Sequence, residues 1–415
     1  MKWLPKLNLP MVVASGLLLA VSAAAPATAS EKASPASAPR VFVLDARVLA
    51  ANRARAAAGD KDLAAAVDDL RKQADKALKA GPFSVMDKKD VPPSGDKHDY
   101  TSLAPYFWPD PAKPDGKPYI RKDGEVQPGR HEQGDVDAMG RMSSAVESLA
   151  RAWYFTGDER CAEHAAMLLR KWFLDEKTRM NPNLNYAQAI PGRNDGRGAG
   201  IIDAVGLINL VDAVGLLAGS KAWTAADQKG LEAWFEKFVV WLQESKNGRD
   251  EARAGNNHGT WYDAQLAAYA LFAGKADVAK KVLAESHRRI DKQILPDGRQ
   301  PAELARTKSW DYSSMNLRGW FTAATLGERA GVDLWKYQSA DGRSIRKALD
   351  YLLPFAKDPA QWKTRQIVKL RPDKITPLLS LAAAKYGEPK YAEETGRIAG
   401  DEKSEKREML LGVRP

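Results

Sequence analysis

Apolar residues recur at steps of three and four along most of this chain, the spacing that turns one face of a helix inward. Lys61 to Lys79, Asp135 to Phe155, Glu159 to Leu174 and Ile201 to Leu217 each carry that pattern. Thr224 opens another helix, with Asp227 placed as the acid of a capping box. Its inward stripe is Leu231, Trp234, Phe235, Phe238, Val239 and Leu242. Thr260 to Phe272, Ala276 to Ile294, Ser314 to Ala330, Arg343 to Phe355 and Ile375 to Lys385 continue the series, and strand-like alternation is scarce. The links between helices are short, as at Gly157-Asp158, Gly219-Ser220, Gly274-Lys275 and Gly331-Val332. Short links make consecutive helices antiparallel. A long run of such hairpins without a strict repeat closes into an all-α, single α/α toroid with one end forming a cleft.

The ends of the chain read differently. Met1 to Lys6 is basic, Met11 to Ala25 is apolar, and Ala27-Thr28-Ala29 offers the small residues that a signal peptidase reads. Residues 1–29 are therefore expected to be a signal peptide cut after Ala29, and 30–40 a flexible leader. The toroid is expected over 41–387, with a charged segment over 388–415. The protein is then periplasmic or secreted, with no membrane attachment after cleavage. No later stretch reads as the ~20 apolar residues of a membrane span. Cys161, the sole cysteine, excludes an intramolecular disulfide and is read as a core residue.

The formal net charge is +10, which favours a polyanionic partner. No nucleic-acid-binding motif is present, so an acidic polysaccharide is the expected polyanion. No cluster has metal-ligand spacing, and no cofactor is expected. The oligomeric state is not indicated.

Three long non-helical stretches hold the unusual chemistry: Gly81 to Gly134, Asn181 to Gly200 and Asn247 to His258. In the last, Asn256-Asn257-His258 stands where a loop enters a helix, so that amides, an imidazole and free backbone N–H groups face one place. Downstream, Glu303 to Tyr312 offers Arg306 and Tyr312 from a loop leading into the helix near Ser314. Elimination across C4 and C5 of a uronate needs a neutralised carboxylate, a base for the C5 proton and an acid for the leaving oxygen. Asn257, Arg306 and His258 suit the first task. Tyr312 suits the second if Arg306 lowers its pKa from ~10. In β-mannuronate and β-glucuronate the C5 hydrogen and C4 oxygen share a ring face, so one tyrosine can serve both ends. In guluronate or galacturonate they lie on opposite faces, and a second group such as His258 is needed.

Asn256-Asn257-His258 with Arg306 and Tyr312 resembles the alginate-lyase-like polysaccharide lyases, helical-toroid enzymes that include the family 5 poly-mannuronate lyases and the family 38 glucuronan and alginate lyases. Lys97-His98-Asp99-Tyr100, Tyr106-Phe107-Trp108-Pro109, Asn181-Pro182-Asn183 and the run from Gly196 to Asp203 look like the latter. The resemblance spans roughly Ser94 to Phe355. It implies Tyr312 as base and acid, His258 as an assisting group, and Asn257 with Arg306 as carboxylate neutralisers. Around them, His98 and the aromatic loop with Tyr100, Tyr106 and Trp108 are expected to touch sugar. So are Arg193 and Arg197 near a helix N-terminus, and Asn256, Trp261 and Glu303 from the two central segments.

Two other readings stand beside this one. An α/α-barrel glycoside hydrolase would use a carboxylate pair drawn from Glu303, Asp263 and Asp203. A non-catalytic binder of acidic oligosaccharides would use the same cleft without chemistry at Tyr312.

Overall fold

The computed structural model describes residues 38–398. The expected signal peptide and most of the expected leader lie outside them, as does the chain after Ile398. The helices run α1 (Ala46–Ala57), α2 (Lys61–Ala77), α3 (Val136–Thr156), α4 (Glu159–Leu169), α5 (Leu207–Leu216), α6 (Ala225–Glu244) and α7 (Lys246–Ala252). They continue with α8 (Asn257–Phe272), α9 (Ala276–Gln293), α10 (Pro301–Leu304), α11 (Ser309–Ala330), α12 (Ile345–Lys357), α13 (Thr376–Tyr386) and α14 (Pro389–Ile398). An inner row, α3–α5–α8–α11, packs side by side, while α2, α4, α6, α9 and α12 lie against its outer side. This is the helical toroid that the periodicity predicts.

Inner and outer helices differ as their sequences do. Every residue of α8 except His258 is buried, whereas α9 buries one stripe, Ala279, Leu283, Ser286, Ile290 and Gln293. The capping box at Thr224 and Asp227 forms, and the stripe from Leu231 to Leu242 is buried. Close packing of α8 on α11 depends on Gly319, where a β-carbon would stand 3.0 Å from Thr260 and 3.1 Å from Trp261.

Several boundaries depart from the periodicity. Helix α1 carries few inward apolar residues, with only Leu49 and Asn52 buried, so its pattern was too faint to mark it. Residues 247–258, expected as loop, hold all but the first residue of α7, which is capped by Ser245, whose Oγ accepts from the Gly248 N–H. Helix α11 begins at Ser309 rather than near Ser314, which puts Tyr312 on the helix itself. Arg40, placed in the leader by composition, is fastened to the body through Glu232 and the carbonyls of Leu271 and Phe272. Gly198–Leu216 is long and apolar enough by composition to cross a membrane, contrary to the expectation above. It is a 3-10 turn (Gly198–Ala204) followed by α5, and most of it is packed into the core.

Two small sheets shape the cleft mouth. Strand β1 (Thr101–Leu103) pairs in parallel with β4 (Tyr186–Ala189), and β2 (Phe107–Trp108) pairs antiparallel with β3 (Ile120–Arg121). They draw the stretches 81–134 and 181–200 together over one end of the helical ring.

Candidate active site

A cleft of about 780 Å³ opens at that end, lined by Tyr106, Phe107, Arg197, Glu251, Asn256, Asn257, His258, Arg306, Tyr312 and Arg318 among others. One wall is the start of α8. Asn256 caps the helix, its side chain accepting from the His258 N–H. Asn257, 1% exposed, donates its backbone N–H and its Nδ2 to the two oxygens of Glu303 at 2.6 and 2.8 Å. Its Oδ1 is buried without a partner. The His258 Nδ1 meets Glu251 Oε1 at 2.7 Å, which leaves Nε2 as the free ring nitrogen. Arg289, reaching in from α9, ties the Ala252 and Ala254 carbonyls to Asp263 and so braces the turn between α7 and α8. Gly259 leaves room for that guanidinium.

The facing wall joins the aromatic loop to α11. The Tyr312 hydroxyl donates to the Tyr106 hydroxyl at 2.6 Å. The Arg306 guanidinium lies over the Tyr312 ring, 3.6 Å from its centroid. Arg306 is already paired: its Nε and Nη2 grip Asp123, whose carboxylate also takes the Thr307 N–H. Burial alone would raise the Asp123 pKa, but the hydrogen bonds from Arg306 and Thr307 overcome it and hold the carboxyl well below its usual range. Tyr312 moves the opposite way from the expectation. Burial, then the charge and hydrogen bond of Tyr106, push its hydroxyl well above an ordinary phenol, and Arg306 offsets only part of this. Burial costs the anion more than one cation returns when that cation is shared with Asp123.

Comparison with known proteins fits this geometry. Residues 84–362 match the alginate lyase family. The chain belongs to that family. An alginate lyase from Bacteroides ovatus is 42% identical, with a TM-score of 0.87 over 90% of this chain and 99% of that one. Alginate lyase A1-III from Sphingomonas species A1 shares the fold at 16% identity and a TM-score of 0.52, covering 84% of this chain and 95% of that one. A tetrasaccharide complex of A1-III aligns at 16% identity and a TM-score of 0.59, over 92% and 98% of the two chains. No curated protein sequence matched.

Membership in the alginate lyase family makes the protein a polysaccharide lyase, which sets aside the hydrolase and the non-catalytic binder. The acids those readings invoked are otherwise engaged. Asp263 is buried against Arg289 and Ser286, and Asp203 takes hydrogen bonds from Ser102, Arg130 and Gln188.

Of the thirteen residues singled out in the sequence, Tyr312, His258, Asn257, Arg306, Asn256, Tyr106 and Arg197 line the cleft. Glu303 stands behind Asn257 at 1% exposure and holds that residue rather than sugar. Tyr100 is fully buried with its hydroxyl on Asp203, and Trp261 is 6% exposed beneath Gly319. Both rings are core. His98 bonds the Arg179 carbonyl, Trp108 the Glu125 carbonyl and Arg193 the Tyr119 carbonyl, and none of the three lines the cleft. Phe107, beside Trp108, is the ring that does. The glycines around Arg197 serve packing, for a β-carbon on Gly198 would stand 2.8 Å from the Asn247 carbonyl. Glu251, Asp123, Gln188 and Arg318 were missed. Glu251 ends up beside His258 only because α7 and α8 meet at a turn, which residue spacing does not show.

Proposed function

We propose that this lyase cleaves 1,4-linked uronate polymers, glucuronan or the mannuronate blocks of alginate, by β-elimination, after export to the periplasm or beyond. The observation that carries this reading is the meeting of Tyr312, Arg306, Asn257 and His258 on one cleft. The name of the Bacteroides ovatus relative adds alginate as a substrate class.

The reaction breaks the C5–H and C4–O bonds, forms a C4–C5 double bond, and returns a proton to the departing glycosidic oxygen. Tyr312 rests protonated, so it is equipped to supply that last proton. To take the C5 proton as well, it first passes its own to Tyr106 and on to solvent in the cleft. Arg306 keeps Nη1 clear of Asp123 for the substrate carboxylate. Asn257, with one amide hydrogen committed to Glu303, has a bare oxygen that suits a sugar hydroxyl.

A second reading is favoured by the hydrogen bond from His258 Nδ1 to Glu251. It fixes the tautomer in which Nε2 carries the lone pair, as a carboxylate does for a catalytic histidine elsewhere. His258 is then the base and Tyr312 the acid. The test is the ultraviolet absorbance of new unsaturated ends on poly-mannuronate, glucuronan, poly-guluronate and polygalacturonate. If Tyr312 does both tasks, Tyr312→Phe is silent and His258→Ala still cleaves the same-face polymers. If His258 is the base, both variants are silent. Wild-type protein that releases no unsaturated ends from any polymer would overturn both readings.

A further inference from the structure

The cleft's cations are not equivalent. Arg306 and Arg121 share Asp123, and Lys374 pairs with Asp311. Arg197 lines the same cleft and has no carboxylate within ion-pair distance among the described residues. Burial works against its charge, and only the more distant Glu251 and Asp203 support it. Lys308 and Arg318 are also unpaired there, but Arg197 alone of the three is held in place. Its Nη2 donates to Gln188 Oε1 at 2.7 Å, its guanidinium lies 5.3 Å from the centre of the Phe107 ring, and its Nε is buried without a partner.

Gln188 is itself over-determined. It is the one non-glycine residue with a positive φ, +52°, among the described residues. Such a conformation persists only where its surroundings enforce it. Its backbone N–H is held by Ser102 Oγ at 2.8 Å and its Nε2 by Asp203 at 2.9 Å. Asp203 is anchored in turn by Ser102, Arg130 and the Tyr100 hydroxyl. Because Asp203 accepts only, it fixes which end of the amide faces it, and the amide oxygen must face Arg197. An amide oxygen orients a guanidinium without cancelling its charge, which a carboxylate in the same place would do.

We infer that Gln188 is a positioning residue that holds Arg197 as an un-neutralised cation for a second substrate carboxylate, on a uronate other than the one Tyr312 serves. The inference rests on the uronate-lyase reading and deepens it. The enzyme then senses charge on two sugars of the polymer. One is read by Arg306 beside Tyr312, the other by Arg197 over Phe107.

The test measures equilibrium binding in the Tyr312→Phe background, so that turnover does not intervene. The probes are oligosaccharides of mannuronate and of glucuronate, each with a counterpart whose carboxyls are reduced to primary alcohols. Gln188→Glu neutralises Arg197, and Arg197→Gln removes it. Gln188→Gly keeps the backbone at ease at its positive φ while releasing the guanidinium. The first two variants should weaken the acidic oligosaccharide about tenfold, the scale of one charge-assisted contact. The reduced counterpart should change less than about twofold, and Gln188→Gly should fall between. The dependence of binding on salt should also become shallower in the first two. Equal weakening of both probes, no weakening of either, or failure of both acidic probes to bind would overturn the inference. Failure of the lyase reading shows separately, as wild-type protein that binds acidic oligosaccharides selectively yet produces no unsaturated ends.

Discussion

The two walls of the cleft are built on opposite electrostatic plans. On the α8 wall, the acids Glu251 and Glu303 are buried behind His258 and Asn257, which they aim into the cleft. On the facing wall a cation, Arg306, lies between a carboxylate and a phenol, joined by a clamp between the stretch around Asp123 and the residues before α11. The α8 wall is set by a packed helix and a brace from α9. On the other, Tyr312 is carried by the packed helix α11, while Asp123 reaches Arg306 from a loop.

The contrast can be tested in order of effect. Tyr312→Phe should lower the rate of formation of unsaturated ends by about 10²–10⁴, the span of one acid–base group, with little loss of thermal stability. A fall of less than tenfold would move the chemistry to the α8 wall. Glu303→Ala leaves two buried donors of Asn257 unpaired and should cost about 2–4 kcal/mol in denaturant unfolding. Asp123→Asn, on the more solvated wall, should cost about 1–2 kcal/mol in the same measurement. It should raise KM more than it lowers kcat, because Arg306 is left without its anchor.

Acid should separate the walls further. The folded pKa of Asp123 is depressed, so the clamp stabilises fully above its unfolded value of about 3.9 and is lost as pH falls towards the folded one. Burial raises the pKa of Glu303, only partly offset by the donors of Asn257. Its contribution is therefore complete below about 4.3 and declines as pH rises through the folded value. Hydrogen exchange followed from neutral pH to about pH 3 should show amides around Asp123 opening first while the Asn257 amide stays protected. Simultaneous opening would mean that the walls are one unit.

The ring was legible because a helix buried against others must repeat its apolar residues, as α6 does from Leu231 to Leu242. The cleft was legible where its groups cluster in sequence, as at Asn256 to His258. The residues behind them were not. Glu251 sits in the charged run Arg249-Asp250-Glu251, where nothing marks one acid as buried. Asp123 lies 183 residues from Arg306, and Gln188 is distinguished by a backbone angle that composition does not encode. The tyrosine's proton affinity was misjudged for the same reason. Proximity to Arg306 could be guessed, but the burial and the sharing of that cation with Asp123 could not.

The Asp212 carboxylate in α5 gathers the backbone N–H groups of Phe42, Val43 and Leu44 at 2.6–2.8 Å, and Arg329, at the end of α11, reaches the Phe42 and Leu44 carbonyls. The segment that leaves the ribosome early thus waits for residues made about 170 and nearly 290 positions later. Synthesis runs from one end of the chain to the other, but this part of the ring is sealed by the segment from Phe42 to Leu44, which becomes a keystone only after α11 exists.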